Sequence, residues 1–434
     1  MATPSVSGTR GAELADLRLI LTIQALRAFL YGFGSVVLGT SLVRGGLTDV
    51  EVGMVFTAML AGAAASSIAV GLVGDRAGRR RAYAVLLLVM GLAGAVFALT
   101  DSLLLLVPAA LTGTLSTDPN ESGPITSLEQ AMMGNAPPAH RARVFGRYNA
   151  VAYLAGAVGS LAGGGPAAFR ELLPALPADR TWLLAFPALA LICVALARRL
   201  SATVETGTAT AVAGGVVAER GMGWHGKRSG GPARTPLNRS RKTVARLAAL
   251  FGLDAFAGGF VVQAFLVFWF GRAFGASPEL MGVVFFAAGL LQAASSVAAG
   301  RVAARIGLLN TMVFTHLPSN VLLMLVPVMP SLGWAIAVLL ARFALSQMDV
   351  PARQAYVVAM VDPEERTAAA AFTNTARYVA RPVGPVGAGL LMQRVAMGAP
   401  FAVAGGLKVA YDLLLYATFR RVPFPEERVS SPTS

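Results

Sequence analysis

Seven residues make up most of the charged side chains that interrupt apolar runs of this chain: Arg27, Asp118, Glu121, Asp254, Asp349, Arg353 and Arg377. A charge removed from water is costly unless it is paired or put to use, so such residues are the first candidates for function. A desolvated carboxylate can take up and release a proton near neutral pH. A guanidinium can grip an anion through parallel N–H donors. Arg27, Asp254 and Arg377 lie about ten residues inside their runs, roughly 15 Å deep at ~1.5 Å per helical residue. Substrate and proton binding is therefore expected at Arg27, Asp118, Glu121, Asp254, Gln263 and Arg377. Plainer roles stand beside these. Asp349 and Arg353, four apart, can neutralise each other on one helix face. Arg27 and Asp254 can pair across the molecule, and Gln24, Gln263 and Asn374 can simply join helices. Asp118 and Glu121 sit in "TGTLSTDPNESGP", where Pro119 and Pro124 break or kink a helix, and freed backbone is tolerated where it lines a cavity. His316 reads as a packing histidine. With a lone cysteine, Cys193, there is no metal-ligand spacing, and no nucleotide loop or catalytic triad is evident, so neither a cofactor nor enzyme chemistry is expected.

The elements that must position these charges are membrane helices. Of 434 residues 55% are hydrophobic and 13% charged, and the mean hydropathy is +0.64. That is more apolar surface than a soluble domain hides. Apolar runs of about 20 residues suffice to cross a bilayer. They are expected at 17–43, 47–73, 82–99, 102–133, 148–166 and 181–198, then at 245–270, 279–300, 308–328, 331–360, 367–393 and 400–419. The fold class is an all-α membrane protein of twelve helices in two six-helix bundles, 1–198 and 245–434. A polar, basic linker, 199–244, joins them. The net charge of +14 lies between apolar runs rather than along one face, which speaks against nucleic acid as a partner. Most Lys and Arg fall on the side of the two termini, against Arg44, Arg170, Arg180, Arg272 and Arg394 on the other. Both termini and the linker are thus expected in the cytoplasm, with the chain in the cell membrane.

The two halves repeat. At a constant shift of 225 positions Pro138 matches Pro363, Arg141 matches Arg366, Asn149 matches Asn374, and Gly159 with Gly164 matches Gly384 with Gly389. Gly71, Arg76 and Gly78 in "GLVGDRAGRRR" lie over Gly300, Arg305 and Gly307 in "GRVAARIGLLN". Such duplication is a mark of transporter folds. Residues 71–81 fit the pattern Gly-x-Leu-x-Asp-Arg-x-Gly-Arg-Arg-Arg, and with the twelve runs and the linker the chain resembles the major facilitator superfamily. The resemblance implies a conformational latch formed by Gly71, Asp75, Arg76, Gly78, Arg79 and Glu129. Asp75 would face the start of the eleventh helix near Thr367, and Arg79 would pair with Glu129. In "AGAVGSLAGG", Gly159, Gly163 and Gly164 resemble the antiporter pattern of the fifth helix, although Ser160 replaces its proline. Gly384 and Pro385 supply small residues on the eleventh. The plainer reading of all five is close helix packing.

The function expected is secondary active transport of a small organic solute by a monomer working through alternating access, with proton-coupled export as its leading form. Proton-coupled uptake of an anionic metabolite or sugar is the alternative. A membrane sensor signalling through 199–244 is the reading outside transport.

Overall fold

In the computed structural model the described residues are 6–116, 118, 123–133, 138–175, 179–205, 240–361 and 365–422. The two ends of α1 (Val6–Arg44) define the faces used below: the near face carries the described chain ends and the far face carries Arg44. The chain crosses back and forth through α2 (Asp49–Ala77), α3 (Arg79–Leu99), α4 (Leu103–Leu111) with α5 (Pro124–Met133), α6 (Pro138–Leu172) and α7 (Ala185–Ala197). The second half repeats the path as α8 (Arg241–Gly259) with α9 (Gln263–Phe274), α10 (Pro278–Ile306), α11 (Leu308–Leu325), α12 (Leu332–Leu345) with α13 (Asp349–Ala359), α14 (Arg366–Ala380) with α15 (Val383–Arg394), and α16 (Ala399–Phe419). Each of the twelve expected runs is helical. Among the described residues nine are also long and apolar enough to cross a membrane on composition alone. The fourth, fifth and eleventh are not among those nine, and they carry more polar residues.

Local chemistry sets the ends. Thr48 and Glu51 form a reciprocal capping box at the start of α2, and Ser277 caps α10 ahead of Pro278. The duplicated loop is one turn built twice: α2 gives way to α3 at Gly78 with φ of +86°, and α10 to α11 at Gly307 with φ of +84°. Only glycine holds that backbone without strain. Leucines such as Leu104, 81% exposed, face outward along the bundle. Outward apolar side chains suit a hydrocarbon solvent.

Among the described residues four crossings are interrupted: the fourth between Leu111 and Pro124, the seventh at 260–262, the tenth at 346–348 and the eleventh at 381–382. The sequence anticipates the first of these through its prolines. The seventh breaks after Gly258 and Gly259, where Gly259 lies against the Arg381 carbonyl, so two interruptions meet.

The halves meet at the far face. One apolar core runs through both, joining Val36 and Phe33 to Val267, Phe270 and Phe285, whereas the near end of the second half keeps a separate core around Val244, Phe251, Met312 and Tyr356. Far-side backbones almost touch: a Cβ at Gly389 would lie 2.2 Å from the Asp49 carbonyl oxygen, and one at Gly164 would lie 2.8 Å from that of Pro278. Toward the near face Gly71, Gly146 and Gly300 have open space at the same position. The far end is closed and the near end is parted.

Within the expected linker 199–244, residues near both ends are held to the bundles. Ser201 and Thr203 hydrogen-bond Asp16 of α1, and Glu205 accepts the N–H groups of Arg79 and Arg80, capping α3. At the other end Ser240 donates its N–H to Glu365 just before α8 begins.

Candidate substrate and proton site

Three polar groups follow from how the crossings pack. The first belongs to the first half. Arg27 on α1 donates to Glu129 on α5 at 2.6 Å, and Tyr83 and Tyr148 donate to the same carboxylate at 2.7 and 2.5 Å. Arg27 also bonds Gln24, Thr126 at 3.1 Å and Tyr148 at 3.1 Å. The pair is 2% and 0% exposed. Two expectations are corrected here. Arg27 does not pair with Asp254, because Glu129 takes its guanidinium. Arg79 does not pair with Glu129, because both oxygens of that carboxylate are filled from inside the half. The Arg79 guanidinium instead reaches the carbonyls of Ala131 and Val204.

The second group answers it with reversed signs. At the shift of 225, Asp254 on α8 lies two positions from the counterpart of Arg27 on α1, and Arg353 on α13 lies one position from that of Glu129 on α5. Asp254 accepts from Lys408 at 2.5 Å, Arg377 at 2.9 Å and Arg353 at 3.4 Å. Arg353 also holds Asp349 at 2.9 Å, so the i,i+4 pair predicted from spacing is present. Behind Asp254, His316 lies 3.9 Å from its carboxylate and 2.9 Å from Asp412, whose other oxygen accepts from Asn320 at 2.9 Å. His316 is thus more than a packing residue. Lys408 and Asp412 went unread as site residues, although a charge pair four apart inside "GGLKVAYDLLLY" was signal enough.

The third group spans the halves where the interruptions meet. Asp118 accepts from Arg381 at 2.7 Å and from the backbone N–H of Gln263 at 3.0 Å. The Gln263 amide donates to Ser35 at 2.7 Å and Ser160 at 3.1 Å, so the serine that replaces the antiporter proline takes a bond from the opposite half. Near it, Tyr153 donates to Gln347 at 3.5 Å and Thr57 accepts the Val386 N–H at 3.0 Å. Asp118 is 28% exposed, Arg381 29% and Arg377 26%. Side chains between the halves stay that accessible only if a crevice reaches them, and the closed far end makes it a crevice from the near face. Beyond the closure a cavity of about 570 Å³ includes Val43, Arg44, Arg170, Gly271 and Glu279 in its lining.

Of the expected packing residues, Gly159 abuts the Phe29 carbonyl, Gly163 abuts that of Phe33 and Gly164 abuts α10. Gly384 abuts Gly259, and the Pro385 carbonyl abuts Gly53. The side chains of Glu121, Asp75, Arg76 and Thr367 lie outside the described residues. Among the described residues no group of His, Cys, Asp and Glu is arranged to hold a metal ion.

Residues 247–434 match the family model of the Major Facilitator Superfamily. An uncharacterized membrane protein of Saccharomyces cerevisiae is 26% identical over 430 residues, covering 93% of this chain and 94% of that protein. Three solved transporters share the fold along nearly its whole length. The nucleoside transporter NupG is 13% identical with a TM-score of 0.68, covering 93% of this chain and 99% of that one. The D-xylose-proton symporter is 15% identical with a TM-score of 0.65, covering 94% and 98%. An inward-facing bacterial homolog of the lysosomal transporter Spinster is 15% identical with a TM-score of 0.64, covering 96% of each chain. The second half of the chain thus matches the Major Facilitator Superfamily model, and the whole chain shares the fold of these solved transporters.

Proposed function

We propose that the protein exports a small organic solute across the cell membrane by alternating access, as a monomer coupled to protons. The near face carries the Arg-rich segments and so belongs in the cytoplasm, with both termini. The arrangement seen is then the cytoplasm-facing one, and the cytoplasmic latch of Asp75 and Arg79 belongs to the opposite state. Support for export over uptake comes from the glycine pattern of the fifth helix.

The observation that carries the mechanism is Asp118. It stands in the interruption of the fourth crossing, is reached from the crevice, and is held by two donors of the opposite half. A proton arriving there removes the charge that Arg381 and the Gln263 N–H answer. The ties at Ser35 and Ser160 then stand alone, and α9 is freer to leave α1 so that the far side opens. Asp254 is the second carrier, since its carboxylate can exchange a cation partner for a proton, with His316 alongside.

The test is proton flux in liposomes holding the protein and a pH-sensitive dye, with lipophilic drugs, carboxylates and sugars added in turn. The expected result is a pH change that follows one compound and vanishes in Asp118→Asn, its sign giving export or uptake. A labelled solute that crosses without any pH change overturns the coupling.

A further inference from the structure

Six cationic side chains lie inside the crossings: Arg27, Arg342, Arg353, Arg377, Arg381 and Lys408. Five hold acids of the chain. Arg342 has no carboxylate at ion-pair distance among the described residues. Its guanidinium stands over the Phe343 ring, 4.9 Å from the centroid, and its Nε is buried without a hydrogen-bond partner. The residue occupies the last turn of α12, just before the interruption at 346–348, the counterpart of the interruption that carries Asp118. Asp118 and Asp254 are near enough for their fields to reach it, but neither touches it. Both are already committed to other cations.

Arg342 is half-buried, and a guanidinium stays charged, so it cannot ease that burial by losing its proton. Leaving one without a counter-ion inside a membrane protein is costly. The chain supplies that counter-ion for every other cation in the crossings. We infer that Arg342 receives the anionic group of the transported solute, so that the substrate class is a small organic anion bearing a carboxylate. This rests on the alternating-access reading above. The planar donor fork suits a carboxylate, which can take two parallel bonds. The Phe343 ring beside it adds a cation–π contact that a carboxylate ligand need not displace. Arg381 and Arg377 on the crevice wall add attraction on the way in but remain tied to Asp118 and Asp254.

The inference has a consequence that needs no ligand. Removing a charge that has no partner relieves a strain of the empty protein, so Arg342→Gln and Arg342→Met melt at or above wild type in detergent. If both melt clearly lower, Arg342 has a structural partner and the inference fails. The second test uses spin labels at Ser102→Cys and Ser331→Cys, exposed serines on the far side of opposite halves, with the distance between them read by pulsed electron resonance. The probes are benzoate, hexanoate and salicylate, each beside its uncharged primary amide. The expected result is that a carboxylate shifts the distance distribution of wild type and its amide does not. Arg342→Gln then needs about 10–100 times more of the same compound, the loss expected for one charge-assisted contact, and Arg342→Lys lies between. Equal responses of wild type and Arg342→Gln overturn the inference, as do amides that act as well as carboxylates. Label movement driven by a pH step with no carboxylate effect overturns the substrate class and leaves alternating access standing. Labels that no compound and no pH step can move count against both.

Discussion

Arg27 and Glu129 offer the sharpest energetic test, because the structure makes them partners inside one half. Arg27→Met leaves a buried carboxylate with two tyrosine donors in place of its cation. Glu129→Met leaves a buried guanidinium facing two hydroxyls and Gln24. Breaking a buried pair from one side costs about 3–5 kcal/mol, so the two single losses sum to about 6–10 kcal/mol. Arg27→Met/Glu129→Met removes both charges and strands the hydroxyls of Tyr83 and Tyr148, each at about 1–2 kcal/mol for a neutral orphan. The double variant should therefore lose about 2–4 kcal/mol, less than the sum by about 4–6 kcal/mol. Reversible unfolding in mixed detergent micelles, followed by tryptophan fluorescence for all four proteins, gives that coupling. Additive losses would refute the pairing. Transport lost in the double variant despite recovered stability would return Arg27 to the substrate path.

Three further outcomes follow from named contacts. Gly389→Val places side-chain atoms where the Asp49 backbone stands, so the far face cannot close; labelling of far-side cysteines should rise severalfold and solute exchange should stop. Glu205→Ala removes the carboxylate that caps α3 at Arg79 and Arg80 and should lower stability by about 1–2 kcal/mol in the same unfolding assay, with solute affinity unchanged. Asp254→Asn strands Lys408, Arg377 and Arg353 and should cost about 3–5 kcal/mol, of which Lys408→Met in the same chain recovers part; no recovery would mean that Lys408 is not its partner.

The sequence carried the scaffold and the identity of most charges, but not their pairing. Hydropathy located all twelve crossings, and the shared Gly78 and Gly307 exposed the duplication because a positive φ leaves a residue-specific mark. The interruption at Asp118 was legible through its prolines. The one at 260–262 was not, because Gly258 and Gly259 also read as helix-packing residues. Partners across 99 or 102 positions depend on which faces the crossings turn inward, and local spacing does not encode that. So Glu129 was assigned to Arg79 near the loop and not to Arg27, while His316 was taken for a packing residue and Lys408 and Asp412 were passed over. Arg342 shows the limit from the other side. A lone arginine in an apolar run looks like any other until each neighbouring acid is seen to be taken.

The central claim is that the far face must open and close for solute to cross. A Cβ added at Gly271 would lie 3.9 Å from the Cβ of Val43 on the opposite half, within the roughly 3.5–4.5 Å that a disulfide spans, and the one native cysteine, Cys193, is buried. Val43→Cys/Gly271→Cys in liposomes, oxidised and then reduced, should lose transport of a labelled solute and regain it, while labelling of near-face cysteines continues throughout. Transport that persists with the bridge closed, its formation verified by mass, would contradict alternating access between these halves.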